Sequence, residues 1–164
     1  MRHREEKMAR LLFILLAALW WFPAHAQHRE LIGVWKLNSF IVESIQTKER
    51  KNVFGERPTG YLIITPERLI TVVTAEGRKP AQTDEDRISG FRTLLAYTGL
   101  YRVEGDRLIT KVDVAWNEAW RGTDQARLFR FEGGKLLLQT VPAPSATSPE
   151  MGIVQATLEW ERSQ

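Results

Sequence analysis

The sequence predicts an all-β fold: a closed or nearly closed antiparallel barrel of about eight strands, with one short helix, preceded by an N-terminal signal helix. Three observations predict it. Apolar and polar residues alternate with period two through most of the chain from Leu31 onward, tight turn residues separate the alternating segments, and the long apolar run is confined to the N-terminus. Hydrophobic residues make up 43% and charged residues 26% of the 164, an ordinary globular balance and a length that suits one domain rather than two.

The first 26 residues read as an address. Arg2, Arg4, Lys7 and Arg10 precede an unbroken apolar run from Leu11 to Phe22, and Pro23 stands before Ala24, His25 and Ala26. A positive start, an apolar centre and small residues two apart form the layout of a signal peptide. An apolar run of this length spans about 18 Å as a helix, against a hydrocarbon core of roughly 30 Å, so a cleaved signal fits better than an anchor. The expected division is a signal peptide over 1–26, cleaved before Gln27, and a barrel domain over 27–164. The chain has no cysteine, which excludes disulfides, a thiolate metal site and a lipid-modified cysteine at the junction. Export to the periplasm or the extracellular space follows, with no stable membrane insertion after cleavage. Without Arg2, Arg4, Lys7, Arg10, Glu5 and Glu6 the formal charge drops from +3 to +1. The remainder holds no basic cluster, so nucleic acid is not an expected partner. The composition leaves the oligomeric state undetermined.

The segments predicted as strands are Gly33 to Glu43, Gly60 to Ile64, Leu69 to Thr74, Gly99 to Val103, Arg107 to Ala115, Ala126 to Glu132, Lys135 to Val141 and Val154 to Glu161. Thr65 to Glu67, Glu104 to Asp106 and the pair Gly133 and Gly134 are hairpin turns between consecutive strands. Asp84 to Tyr97 breaks the period. It opens with acidic residues after Thr83, a good N-cap, and sets Ile88, Phe91, Leu94 and Leu95 at helical spacing, so a short helix is expected there despite Gly90. Val42 to Pro58 and Pro142 to Pro149 are read as connections. A meander of about eight strands would leave two bare edges unless it closed, and eight strands enclose room for side chains or one small ligand.

Alternation also sorts the faces. In the last strand Val154, Ala156, Leu158, Trp160 and Arg162 share one side and are assigned to the interior. The same rule groups Gly99, Tyr101 and Val103; Leu108, Thr110, Val112, Val114 and Trp116; and Arg127, Phe129 and Phe131. From these come the candidate ligand-binding residues Tyr61, Tyr97, Tyr101, Val112, Val114, Trp116, Arg127, Phe129 and Leu158. Two readings stay open. The aliphatic members also fit a solid core, and the tyrosines also fit caps at a barrel end. An inward Arg127 needs a negative partner, either a carboxylate of the protein at the rim or the head group of an anionic ligand.

Gly33, Val34 and Trp35 form a G-x-W at the start of the first strand, and Trp160, Glu161 and Arg162 close the last. This pairing resembles the lipocalin superfamily. The resemblance implies that Trp35 sits at the closed base with Arg162 lying across it, beside Gly33 and Trp160. Further blocks, in order, are similar to the bacterial and fungal lipocalin-like domain family: Leu31 and Leu37 around the G-x-W; Pro58, Gly60, Tyr61 and Leu62; Ala96, Tyr97, Gly99 and Tyr101; Trp120, Gly122, Arg127 and Phe129. The likeness runs from Leu31 to Arg162. It implies a closed or nearly closed barrel that holds a small hydrophobic molecule; the option of an anionic one comes from Arg127. Where that family is expected to carry histidines in the segment Arg107 to Ala115, this chain has Thr110 and Lys111.

Catalysis has few candidates. His3 and His25 belong to the expected signal and His28 to the mature N-terminus, so the body lacks the usual general base and any histidine metal ligand. No nucleophile-elbow, zinc-helix or phosphate-loop motif occurs. No catalytic residue, metal or cofactor is therefore assigned. Asp113 and Glu118 are the nearest carboxylates to aromatic positions, and Asp113 has outward parity. The alternatives to a carrier are a small barrel enzyme of isomerase, cyclase or lyase type acting on an apolar substrate, and a filled barrel serving as a protein-interaction module.

Overall fold

Alternation is realised as one continuous sheet that curls until its first and last long strands meet. The computed structural model describes residues 29–145 and 149–163; the expected signal segment over 1–26 lies outside them. The elements are β1 (Gly33–Ser44), β2 (Arg50–Lys51), β3 (Thr59–Ile64), β4 (Arg68–Thr74), α1 (Asp84–Arg92), β5 (Leu94–Glu104), β6 (Arg107–Ala115), β7 (Asp124–Glu132), β8 (Lys135–Thr140), β9 (Ala143–Pro144) and β10 (Ile153–Arg162). All pairings are antiparallel, and β1 pairs with β10 from Trp35 opposite Arg162 to Ser44 opposite Val154. Eight long strands thus form a closed barrel. Closure gives every long strand two neighbours and removes the edges an open meander would expose. The two-residue strands β2 and β9 extend it at one end, inside the segments read as plain connections.

One end is filled. Leu31, Trp35, Leu69, Leu108 and Leu136 are each at most 2% exposed, and Phe131 packs its ring 6.0 Å from Trp35. Trp35 donates its indole N–H to the Leu31 carbonyl at 2.9 Å, and the Arg162 guanidinium lies 4.4 Å from the Trp35 ring while donating to the Ile32 carbonyl at 3.1 Å. Gly33 adopts φ +150°, and a Cβ there would strike the Arg162 guanidinium. The glycine two residues before the tryptophan therefore makes room for the arginine that covers it. Gly99 is tied to its place differently: a Cβ there would run into the Lys111 carbonyl of the adjacent strand.

Two bulges decide which side chains enter the barrel. In β1 the register with β10 slips between Leu37 and Ser39, leaving Asn38 as an extra residue. Trp35 and Leu37 are buried before the slip, and Phe40 and Val42 after it, a spacing that strict alternation forbids. In β6 Thr98 faces Val114 while Gly99 faces Val112, so Asp113 is the extra residue. Val114, assigned to the interior by alternation, is consequently 62% exposed, whereas Val112 is 1% exposed. Arg68 holds the bulge from outside through a 2.8 Å ion pair to Asp113.

The helix is shorter than its periodicity. Thr83 and Asp86 form a capping box, each side chain accepting from the other's backbone N–H, and Asp84 to Asp86 occupy the favourable first turn. Leu94 and Leu95, placed on the helix by spacing, instead open β5, where Leu94 pairs with Thr74 and Leu95 with Val73. Ladder hydrogen bonds to β4 outweigh one more helical turn. No residue of α1 is buried, and Ile88 and Phe91 remain half exposed.

Candidate functional site

Above the filled base the barrel is hollow. A cavity of ≈ 270 Å³ lies between the strands at the end where α1, β2 and β9 gather. Its mouth is marked by exposed lining residues, Arg92 from α1, Val141 after β8, and Ala143 and Pro144 of β9. Its floor is Trp160, whose neighbours across the ladder are Leu37 and Leu136 of the packed base. The walls are mainly apolar, with Phe40, Phe54, Leu62, Leu138 and Leu158 among them. Among the described residues no aspartate or glutamate lines the cavity, and two arginines do, Arg92 and Arg127.

Arg127 enters from β7, where it faces Thr140 of β8. Its guanidinium donates to the Ala126 carbonyl at 2.9 Å and to Gln125 Oε1 at 3.3 Å, and it sits 5.8 Å from the centre of the Trp120 ring. All these partners are neutral. The protein carboxylate anticipated from the sequence is thus missing: among the described residues no acidic side chain pairs with Arg127, and the nearby carboxylates bind elsewhere, Asp113 of β6 to Arg68, and Asp124 and Glu132 of β7 to Arg102, Lys111 and Arg130. A half-buried cation held only by neutral dipoles favours an incoming anion.

An aromatic ledge leads from the mouth to this cation. Phe91 and Trp116 lie 6.3 Å apart, Trp116 meets Trp120 edge to face at 4.8 Å, and Trp120 meets Tyr97 at 5.5 Å. The short helical turn Glu118–Trp120, capped by Asn117, aims Trp120 inward over Arg127. Two polar groups on the opposite wall stand beside each other, because Tyr97 of β5 pairs with Thr71 of β4. Both side chains line the cavity and neither hydroxyl has a hydrogen-bond partner among the described residues.

The residues singled out from the sequence divide into three groups. Tyr97, Trp116, Arg127, Leu158 and Trp160 are brought together around the cavity. Val112 and Phe129 are buried in the packing and do not line it, and Tyr101 is half buried with its hydroxyl donating to the Thr65 carbonyl at 2.9 Å. Burial raises the Tyr101 hydroxyl above the ordinary value of 10.0. Tyr61 and Val114 lie outside, 46% and 62% exposed. Tyr61 is excluded by plain alternation, since Gly60, Leu62 and Ile64 hold the inner face of β3, and Val114 by the bulge at Asp113. Phe40, Thr71, Arg92 and Trp120 also line the cavity and were not among the ligand-binding candidates. Thr71 was discoverable, because it alternates with Leu69 and Val73; Phe40 was not, because the Asn38 bulge hides its parity.

A family model described as a lipocalin-like domain matches residues 32–163. The crystal structure of a point mutant of the fluorescent protein UnaG is 17% identical, over 83% of this chain and 98% of that one, with a TM-score of 0.39. No curated protein matches this chain.

Proposed function

The chain belongs to the lipocalin-like domain family, and from that premise we propose that it is an exported carrier that holds one small hydrophobic acid in its barrel, with the acid group directed to Arg127. One observation carries the reading: an apolar cavity that, among the described residues, is lined by two arginines and no carboxylate. A filled barrel would not keep ≈ 270 Å³ open above its base. An apolar cavity of about 150 Å³ accommodates benzene, so this one suits a ligand of roughly ten to fifteen non-hydrogen atoms. The apolar body of such a ligand gains about 25 cal/mol for each Å² removed from water, while Arg127 supplies orientation and Arg92 at the mouth adds attraction during approach. Export is supported by the charged, apolar and small-residue layout of residues 1–26.

The test is displacement. A fluorescent medium-chain fatty acid bound to the purified protein is expected to saturate at one site and to be displaced by decanoic acid at lower concentration than by decanol. Absence of saturable binding overturns the carrier reading, and equal displacement by acid and alcohol overturns the role of Arg127. For the enzyme alternative, the titratable groups that the described residues supply to the cavity are Tyr97 and the two arginines, an arrangement without a paired acid and base for proton transfer.

A further inference from the structure

We propose that the ligand is polar at both ends: an acid group at Arg127 and, at its inner end, an oxygen that accepts a hydrogen bond from the indole N–H of Trp160. This rests on the carrier reading above and specifies the chemical class of its ligand. Trp160 is 1% exposed and lines the cavity, and its Nε1 is, among the described residues, the one side-chain polar atom that has neither accessible surface nor a hydrogen-bond partner; the unpaired hydroxyls of Tyr97 and Thr71 keep accessible surface. Two other indoles of the barrel find a carbonyl. Trp35, 2% exposed, donates to the Leu31 carbonyl at 2.9 Å, and Trp116 donates to the Phe91 carbonyl at 3.3 Å. An indole N–H only donates, and burying one unpaired is costly enough to be rare in native proteins. Leu37 and Leu136, which flank it across the sheet, offer no acceptor from their side chains, and Trp160 lines the cavity, so an acceptor carried by a bound ligand would supply the missing partner.

The two polar positions lie at opposite ends. Arg127 faces Thr140, whose hydroxyl accepts from the Ala156 N–H, and Trp160 is four residues further along the same strand. At about 3.3 Å per residue the two levels are separated by up to about 13 Å. An extended chain of about ten carbons spans that distance and falls within the size the cavity admits. A simple fatty acid would place a methyl group against the unpaired donor. A keto, ether or hydroxy acid would place an oxygen there.

The experiment is isothermal titration of the purified protein and of Trp160→Phe with decanoic acid and with 9-oxodecanoic acid. The readout is the ratio of the two affinities, because replacing a methylene by a carbonyl also weakens hydrophobic transfer, and does so equally in both proteins. The preference for the oxo acid is expected to fall by about tenfold in Trp160→Phe, the size of one hydrogen bond to an otherwise unpaired donor. An unchanged ratio, with decanoic acid still bound, overturns this inference and leaves the carrier reading standing. Failure of the unsubstituted protein to bind either acid overturns the carrier reading itself. A second measurement covers a variant that does not fold: in the unsubstituted protein the Trp160 indole N–H resonance is expected to move downfield with 9-oxodecanoic acid and to stay with decanoic acid. The same response to both acids overturns the inference.

Discussion

Replacing Arg127 by leucine separates recognition of charge from recognition of bulk. The guanidinium is held in the cavity wall by the Ala126 carbonyl, Gln125 Oε1 and the Trp120 ring, with no carboxylate to leave stranded. Folding stability is therefore expected to change by about 1 kcal/mol or less, unlike the loss of a partner from a buried ion pair. Binding is different. A carboxylate about 4 Å from the guanidinium in a medium of effective dielectric about 20 gains about 4 kcal/mol. Desolvation of both groups returns part of this, leaving about 2–3 kcal/mol for a charge-assisted, two-pronged contact. Decanoic acid should then bind Arg127→Leu about 30- to 150-fold more weakly. Decanol, which loses one hydrogen bond from the charged guanidinium of about 1.5 kcal/mol, should weaken by about tenfold. Titration calorimetry of both ligands against both proteins, with urea unfolding as the control for stability, measures these factors. Equal weakening of acid and alcohol, or no weakening of the acid, would refute the assignment of Arg127.

Three other perturbations test the architecture. The bulge at Asp113 predicts opposite outcomes for neighbours two residues apart: Val114→Lys should alter urea-unfolding stability by no more than about 0.5 kcal/mol, while Val112→Lys buries a charge and should cost more than about 3 kcal/mol. Arg162→Ala removes the cover from Trp35 and the bond to the Ile32 carbonyl; a loss of about 1 kcal/mol is expected, with affinity for decanoic acid unchanged because Arg162 does not line the cavity. Glu159 bonds Lys135 at 2.7 Å and Asn38 at 2.6 Å, and these contacts, that from Lys135 first, hold its carboxyl below the ordinary 4.5. A lowered folded value means that its contribution is complete above the unfolded value and disappears as pH falls through the folded one. Glu159→Gln should therefore flatten the decline of stability between about pH 5 and the acid limit, as followed by thermal unfolding; an unchanged acid slope would show that the contact contributes nothing.

Period two is a local property, and everything that depends on it alone was legible in the sequence. The strands around Gly60 to Ile64, Lys135 to Thr140 and Val154 to Glu161, their inner faces and the closed meander follow from which residues alternate. The cap at Thr83 was legible for the same reason, since its partner Asp86 is three residues away. What the tertiary structure decided is non-local. The bulges at Asn38 and Asp113 arise from the match between a strand and its neighbour, so the exclusion of Val114 and the inclusion of Phe40 required the register. The end of α1 was set by pairing of Leu94 with Thr74, which overrides helical spacing. The height at which packing gives way to open space, with Trp35 below and Trp160 at the boundary, depends on side chains from many strands meeting at one level. The sequence showed that Arg127 faces inward, but only the assembled barrel showed that no carboxylate of the described residues pairs with it, because a charge's partners are chosen in space and not along the chain.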